Sequence, residues 1–464
     1  LVAFLIASFF PEYRIWGFNW WAYYPDWVRW GLFGLGVLAP AVLRLILNRT
    51  DAISGEDEPA RDRGFILIAV AVTILFGCLS YFLRAQTHFL GDGYTLLSSL
   101  ATDQAIAMKM RQYGESLLHI WLKNLIGGDG QSAALLSYQI ISITGGLIFV
   151  TAVALFSRAL FRRTANRMLF LLGVCSGGYM LLFFGYVENY SLFVPTVLIY
   201  TLVGLLVCQR RVSGWWLLPP LVAAVFFHVM GITLIPSAIY AIVAPTRFGR
   251  RIARIDPKTR WLLIFLGLAG TAAIFHHYYT TNLFFQFAFV PLLENRFTVN
   301  GYTMFSWKHL VDYLNLLLLL LPGLPVMATL LFLNPVRRLL QQRHYVYLCI
   351  LLLSVLGTVF AFDPKLGMPR DWDLFSFAGI PLTIACYYVV AENRWSTRAR
   401  PVAVLSILLS LAILIPRAVG QSYSTAGLEH FKGYLMLDIA KGRNSWTHLK
   451  TYYQNRGDTI SADA

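Results

Sequence analysis

The chain has 464 residues, 57% of them hydrophobic and 13% charged, and a net charge of +15, with a mean hydropathy of +0.60. That is far too apolar for a soluble protein of this length; apolar runs of roughly 20 residues recur throughout, each long enough to cross a ~30 Å hydrocarbon core as a helix. The charge does not read as a nucleic-acid footprint, because the basic residues gather in alternate loops between the apolar runs.

Taken in chain order, the runs predict membrane spans near 1–10, 28–47, 64–83, 131–157, 167–185, 190–208, 214–228, 230–244, 260–278, 311–333, 345–362, 374–391 and 400–417. The expected architecture is an all-α polytopic membrane protein of about 12–13 transmembrane helices. Leu1 stands inside an apolar run, so the first span is expected to be truncated. Arginines crowd the loops at Arg162/Arg163/Arg167, Arg210/Arg211, Arg247 to Arg260, Arg337/Arg338/Arg343 and Arg394/Arg398/Arg400. The positive-inside rule places these loops in the cytoplasm, and the remaining loops and the C-terminal tail on the outer side.

The first outer loop, 84–130, opens with Gly91-Asp92-Gly93-Tyr94 and carries His88, Asp103, Lys109, Arg111, Glu115 and His119. Its periodicity predicts two amphipathic interfacial helices, Tyr94 to Met110 and Glu115 to Leu125. The next outer turn, Gly185-Tyr186-Val187-Glu188-Asn189-Tyr190, is so short that the Glu188 carboxylate should face the bundle or a cavity. Between Gly214 and Pro245 about 32 residues must cross twice, which predicts two short helices meeting near His228. The outer segment 276–310 holds His276, His277, Glu294, Arg296 and Lys308. The last outer loop, Asp363-Pro364-Lys365-Leu366-Gly367-Met368-Pro369-Arg370-Asp371-Trp372-Asp373, packs three acids and two bases into 11 residues.

The bland readings differ in weight. Asp92 in a glycine turn can be a solvated loop residue, and a lone His228 among Phe and Val is more often a packing residue. The five cysteines (Cys78, Cys175, Cys208, Cys349, Cys386) lack CxxC spacing and lie in or beside apolar runs, so they read as packing groups. No metal-ligand signature is present, and no residue is assigned to a metal.

The acidic turn Leu90-Gly91-Asp92-Gly93-Tyr94, the helices after it, the turn at Gly185 to Tyr190 and the paired short helices around Phe227-His228 together resemble the GT-C superfamily of integral-membrane glycosyltransferases. This group includes the protein mannosyltransferases and the aminoarabinose transferases. The resemblance covers roughly 64–390 and is one of layout. It implies a GT-C-like bundle that moves a sugar from a polyprenyl-phosphate donor to a lipid, glycan or protein acceptor at the outer membrane face. The essential acid of the family's first outer loop maps onto Asp92, and a second acid maps loosely onto Glu188. Gly93 stands where many members have Glu, and the spans before the acidic turn exceed the usual arrangement. Some members use a divalent cation and others do not; no ligand spacing here argues for one.

In this reading Asp92 and Glu188 are catalytic, with Asp92 taking the acceptor proton. His228 supports the sugar or the base, Lys365 and Arg370 clamp the phosphate, and Asp371 and Asp373 join the substrate site. The expected divisions are extra N-terminal spans (1–63), a catalytic membrane module (64–417) and an outer helical tail (418–464). The tail's periodicity marks Phe431, Tyr434, Leu435, Ile439, Trp446, Leu449 and Tyr453 as buried. A transporter or flippase of lipid-linked sugars is the alternative; it predicts internal repeats and mid-span polar groups.

Overall fold

The computed structural model describes residues 1–51, 60–102, 104–293, 299, 301–333, 339–392 and 399–463. Asp103, Glu294, Arg296, Arg337, Arg338, Arg394 and Arg398 lie outside the described residues. Among those described, the regular structure is helical, with one isolated bridge between Phe289 and Phe362.

The chain begins with α1 (Val2–Ala7), α2 (Asp26–Asp51) and α3 (Ala60–Phe82). The acidic turn leads into α4 (Gly93–Thr102), α5 (Gln104–Ala107) and α6 (Tyr113–Ile126), close to the two amphipathic helices expected there. The long α7 (Gly130–Leu160) packs on α3, α4, α6, α8 (Thr164–Val174) and α9 (Phe193–Cys208). The predicted break at His228 separates α10 (Leu218–Phe227) from a 3-10 turn and α11 (Ile235–Val243). Next come α12 (Arg247–Arg254), α13 (Pro257–Thr281), α14 (Leu283–Phe287), α15 (Trp307–Leu320) and α16 (Leu324–Leu333). The chain closes with α17 (Arg343–Ala361), α18 (Gly379–Glu392), α19 (Ala399–Gln421), α20 (Ser424–Leu437), α21 (Arg443–Asn455) and α22 (Thr459–Asp463).

Among the described residues, four helices are long and apolar enough to cross a membrane: Arg63–Phe82 within α3, α7, α17 and α19. A fifth span results if α15 and the start of α16, bent by 86° at Leu321–Gly323, count as one. This is fewer than the about 12–13 spans expected, of which the pair meeting at His228 is already expected to be short. The reason is local: several apolar runs are interrupted, and an interrupted run yields short helices. The run at 167–185 breaks at Cys175–Gly177 and continues as a 3-10 segment, Gly178–Phe183. The runs at 190–208, 214–228, 230–244 and 374–391 form apolar helices of 10–17 residues. Helices this short are stable at membrane depth only where other protein satisfies their ends. Here α8, α9, the 3-10 segment and α18 form the centre of the main core, where Tyr179, Phe183, Val194, Tyr200, Ile384 and Tyr387 are fully buried. By contrast α3 and α13 expose apolar side chains such as Leu67, Ile74, Phe265 and Leu268, the surface expected of helices facing lipid. These features fit a multi-pass membrane protein.

The C-terminal tail folds back on the acidic turn. Phe431 stacks on Phe89 with ring centroids 4.6 Å apart, and Phe431, Tyr434, Leu435 and Leu449 are buried as the periodicity predicts. Ile439 and Trp446 are exposed, because the predicted continuous helix stops at Leu437 and restarts at Arg443. That interruption resets the phase of the buried face.

Candidate functional site

The site is built around Gly91. This residue has φ +60, a left-handed conformation that glycine adopts without steric cost. A Cβ on it would collide with Glu188 Oε1 and Asp373 Oδ2. Two acids from loops distant in sequence therefore close on one backbone atom of the first loop. The turn is held from both sides. The Gly91 N–H donates to the Arg370 carbonyl at 2.8 Å, and the Asp92 N–H donates to Glu188 Oε1 at 2.5 Å. Upstream, the Ala85 N–H donates to the Phe184 carbonyl at 2.8 Å, so 84–92 lies along the 184–190 turn.

Asp92 stands just before α4, and its N-terminal position suits a carboxylate because the helix dipole is positive there. Its side chain is 49% exposed and pairs with Lys109 Nζ at 3.3 Å. Glu188 and Asp373 are buried, and among the described residues neither has a cation within ion-pair distance. The Tyr186 hydroxyl donates weakly to Asp373 Oδ2 at 3.4 Å, and the Leu374 N–H donates to Asp373 Oδ1 at 3.0 Å. Burial pushes the Glu188 carboxyl well above its usual range, and the nearby Asp373 and Asp92 charges push it further, against Lys109. Burial, followed by Asp371, does the same to Asp373. Asp371 is raised to about 6 by burial, although its Oδ2 accepts the Leu366 N–H at 3.1 Å. Desolvation disfavours the charged form of a carboxyl group, and it pushes both members of the Glu188–Asp373 pair toward the protonated form.

Arg370 and Lys365 are engaged elsewhere. The buried Arg370 guanidinium donates to the Leu366 carbonyl, to Ser445 Oγ and, at 2.9 Å, to the Lys441 carbonyl. It thus anchors the tail, while its own carbonyl holds Gly91. Lys365 pairs with Asp363 at 2.6 Å and lies 3.9 Å from the centre of the Phe287 ring. Lys441 pairs with the same carboxylate at 3.1 Å. His228 sits at the break before α11: its Nδ1 accepts the Met230 N–H at 3.0 Å, and its ring packs on Tyr190 and Phe193. The loops thus bring Asp92, Glu188, Asp371 and Asp373 together. They leave His228 capping a backbone turn and Lys365 in a separate ion pair.

Three further groups adjoin the acids. A cavity of about 180 Å³ is lined by Tyr94, His448, Thr451, Tyr452 and Arg456. His448 Nε2 lies 3.1 Å from Thr95 Oγ1, and Tyr452 Oη is buried without a partner among the described residues. The tail thereby supplies one wall beside Asp92, and nothing in the first-loop pattern points to it. Glu115 accepts the N–H groups of Leu192 at 2.5 Å and Phe193 at 2.9 Å, fixing the start of α9. Burial raises it to about 7 and lowers neighbouring His119 to about 3, so their 3.9 Å approach is not an ion pair at pH 7, the imidazole being neutral. Arg417, buried inside an apolar helix, lies over Trp20 and Trp372 at 5.0 and 5.4 Å. An arginine at that position in an apolar run is a visible sequence signal.

Among the described residues no group of three His, Cys, Asp or Glu side chains is arranged to hold a metal ion. Comparisons with protein-family models, with curated proteins and with solved structures found no match for this chain.

Proposed function

We propose that the protein is a membrane glycosyltransferase that moves a sugar from a polyprenyl-phosphate-type lipid to an acceptor at the outer membrane face. The observation that carries this reading is the convergence of Asp92, Glu188 and Asp373 on Gly91, in a chain whose long helices are apolar enough to span a bilayer. The resemblance of the loop layout to the GT-C superfamily supports it.

In the reaction the acceptor oxygen or nitrogen attacks the anomeric carbon. The bond from that carbon to the phosphate oxygen breaks, and its electron pair leaves with the phosphate. Asp92, the half-exposed acid of the cluster, takes the acceptor proton. Carboxylates close to the reacting sugar stabilise the oxocarbenium-like charge that develops. Glu188 accepts the Asp92 N–H and holds that backbone in place. With Arg370 tied to the tail, the cations for the leaving phosphate are Lys109, which already orients Asp92, and Arg456 at the neighbouring cavity.

The test is Asp92→Asn in purified protein reconstituted with a polyprenyl-phosphate sugar. Transfer should fall on the order of 10²–10⁴-fold while thermal unfolding stays unchanged. A folded variant that transfers at the full rate removes Asp92 from the mechanism. Donor binding by the native chain without sugar release would instead mark a carrier of lipid-linked sugars.

A further inference from the structure

The far end of α3 from the acidic turn carries a second cavity with a different chemistry. Helices α3 and α7 run antiparallel. They meet closely where Gly77 lies against Leu147 and Gly146 against Phe76. Towards the start of α3 a groove lies between the two helices, lined by the small side chains of Ala69 and Ala154. The groove has a volume of about 270 Å³ and runs from Phe65 to Ile74, with Ala154, Leu155 and Arg158 on its α7 side. Thr73 is its polar group on α3, and its hydroxyl is already satisfied by the Ala69 carbonyl at 2.9 Å. Apart from Thr151 on α7, the wall away from Arg158 is otherwise apolar, and the outer face of α3 beside it is exposed at Leu67 and Ile74.

One end of the groove is basic. Arg158 lines it, and the Arg167 guanidinium lies 5.6 Å from the centre of the Phe65 ring. Arg162 and Arg163 follow in the adjoining turn and are exposed. Nine residues of helix from Phe65 to Ile74 rise about 13 Å, close to half of a ~30 Å hydrocarbon core. The groove thus has the depth of one leaflet, with arginine at the level where a headgroup would sit.

We infer that the α3–α7 groove binds an anionic phospholipid, one acyl chain lying over Ala69 and Ala154 and its phosphate meeting Arg158. A zwitterionic lipid offers the same chain but no net charge to the arginines, and a soluble phosphate offers charge but nothing to fill the apolar wall. The basic end of the groove, at Phe65, lies along α3 roughly 25 Å from the helix end that leads to Asp92, and its near end, at Ile74, roughly 12 Å, so a headgroup held at Arg158 is that of a resident lipid and not of the sugar donor. The site does not depend on the glycosyltransferase reading.

Native mass spectrometry of the full chain released from detergent, with phosphatidylglycerol and phosphatidylcholine supplied equally, reads this directly. The native chain should retain phosphatidylglycerol at least about fivefold over phosphatidylcholine, the factor expected for one arginine near an anionic headgroup. Arg158→Gln should bring the ratio close to one, and Ala154→Leu, which fills the groove, should lower retention of both lipids. Equal retention by the native chain overturns the assignment. So does a preference that survives Arg158→Gln, or lipid retention that Ala154→Leu leaves unchanged, because the lipid then sits elsewhere.

Discussion

Asp312 and Asp373 are both buried carboxylates, 0% and 1% exposed, in very different surroundings. Asp312 accepts from Arg14 Nε at 2.8 Å and Nη2 at 2.7 Å, from the Trp16 indole at 2.9 Å and from the Tyr302 hydroxyl at 3.0 Å. Arg14 also reaches Asp438 at 2.7 Å, so this node joins the N-terminal segment, α15 and the tail. Asp373 has one backbone N–H and one long tyrosine contact, with two other acids for neighbours. A buried charge that is fully partnered holds a fold together. One that is under-partnered beside like charges is unfavourable where it stands, and such groups cluster at functional sites. The same division runs through the loop 363–373: Asp363 at its start is neutralised by two lysines, while Asp371 and Asp373 at its end are not.

The contrast can be broken by mutation. The largest effect is expected for Asp312→Asn, which leaves Arg14 without its main partner. Stability measured by thermal or chemical unfolding in detergent should fall by about 3–5 kcal/mol. Next is Glu115→Gln. The native Glu115 holds its proton up to about pH 7 while the unfolded one releases it near the usual carboxylate value. The folded state therefore binds more protons in that window, and stability should fall as pH rises through it by about 3 kcal/mol. The glutamine variant should lack this slope in unfolding measured from pH 4 to 8. The smallest stability effect is expected for Asp373→Asn, under about 1 kcal/mol and in the stabilising direction, with a loss of sugar transfer. If Asp373→Asn instead destabilises as much as Asp312→Asn, the two acids are alike and the distinction fails.

The apolar runs were legible because span length and hydropathy are local properties. The break at His228 followed from counting residues between two basic loops. The breaks at Cys175–Gly177 and Leu321–Gly323 were not legible, since a run that bends has the same composition as one that does not. Within the site, Glu188 stood out by its placement in a turn too short to hide a charge, and Asp92 by its glycine turn just past an apolar run. The roles of Arg370 and Lys365 were not readable, because the reach of a long side chain depends on where the tail packs. Lys109 gave no sign of its link to Asp92, 17 residues away in sequence. Arg417 gave one: it stands in the last apolar run, where a charge demands burial or a partner.

The backbone at Gly91 has a consequence for how this protein can change. No side chain fits at residue 91 while Glu188 and Asp373 occupy their present positions. A substitution there requires both acids to move and is still strained by the left-handed backbone, and moving the acids dismantles the cluster. The order of mutations is thereby restricted: 188 and 373 can vary before 91, but 91 cannot vary first. In lineages of this chain, the glycine should be the last of the three positions to be lost.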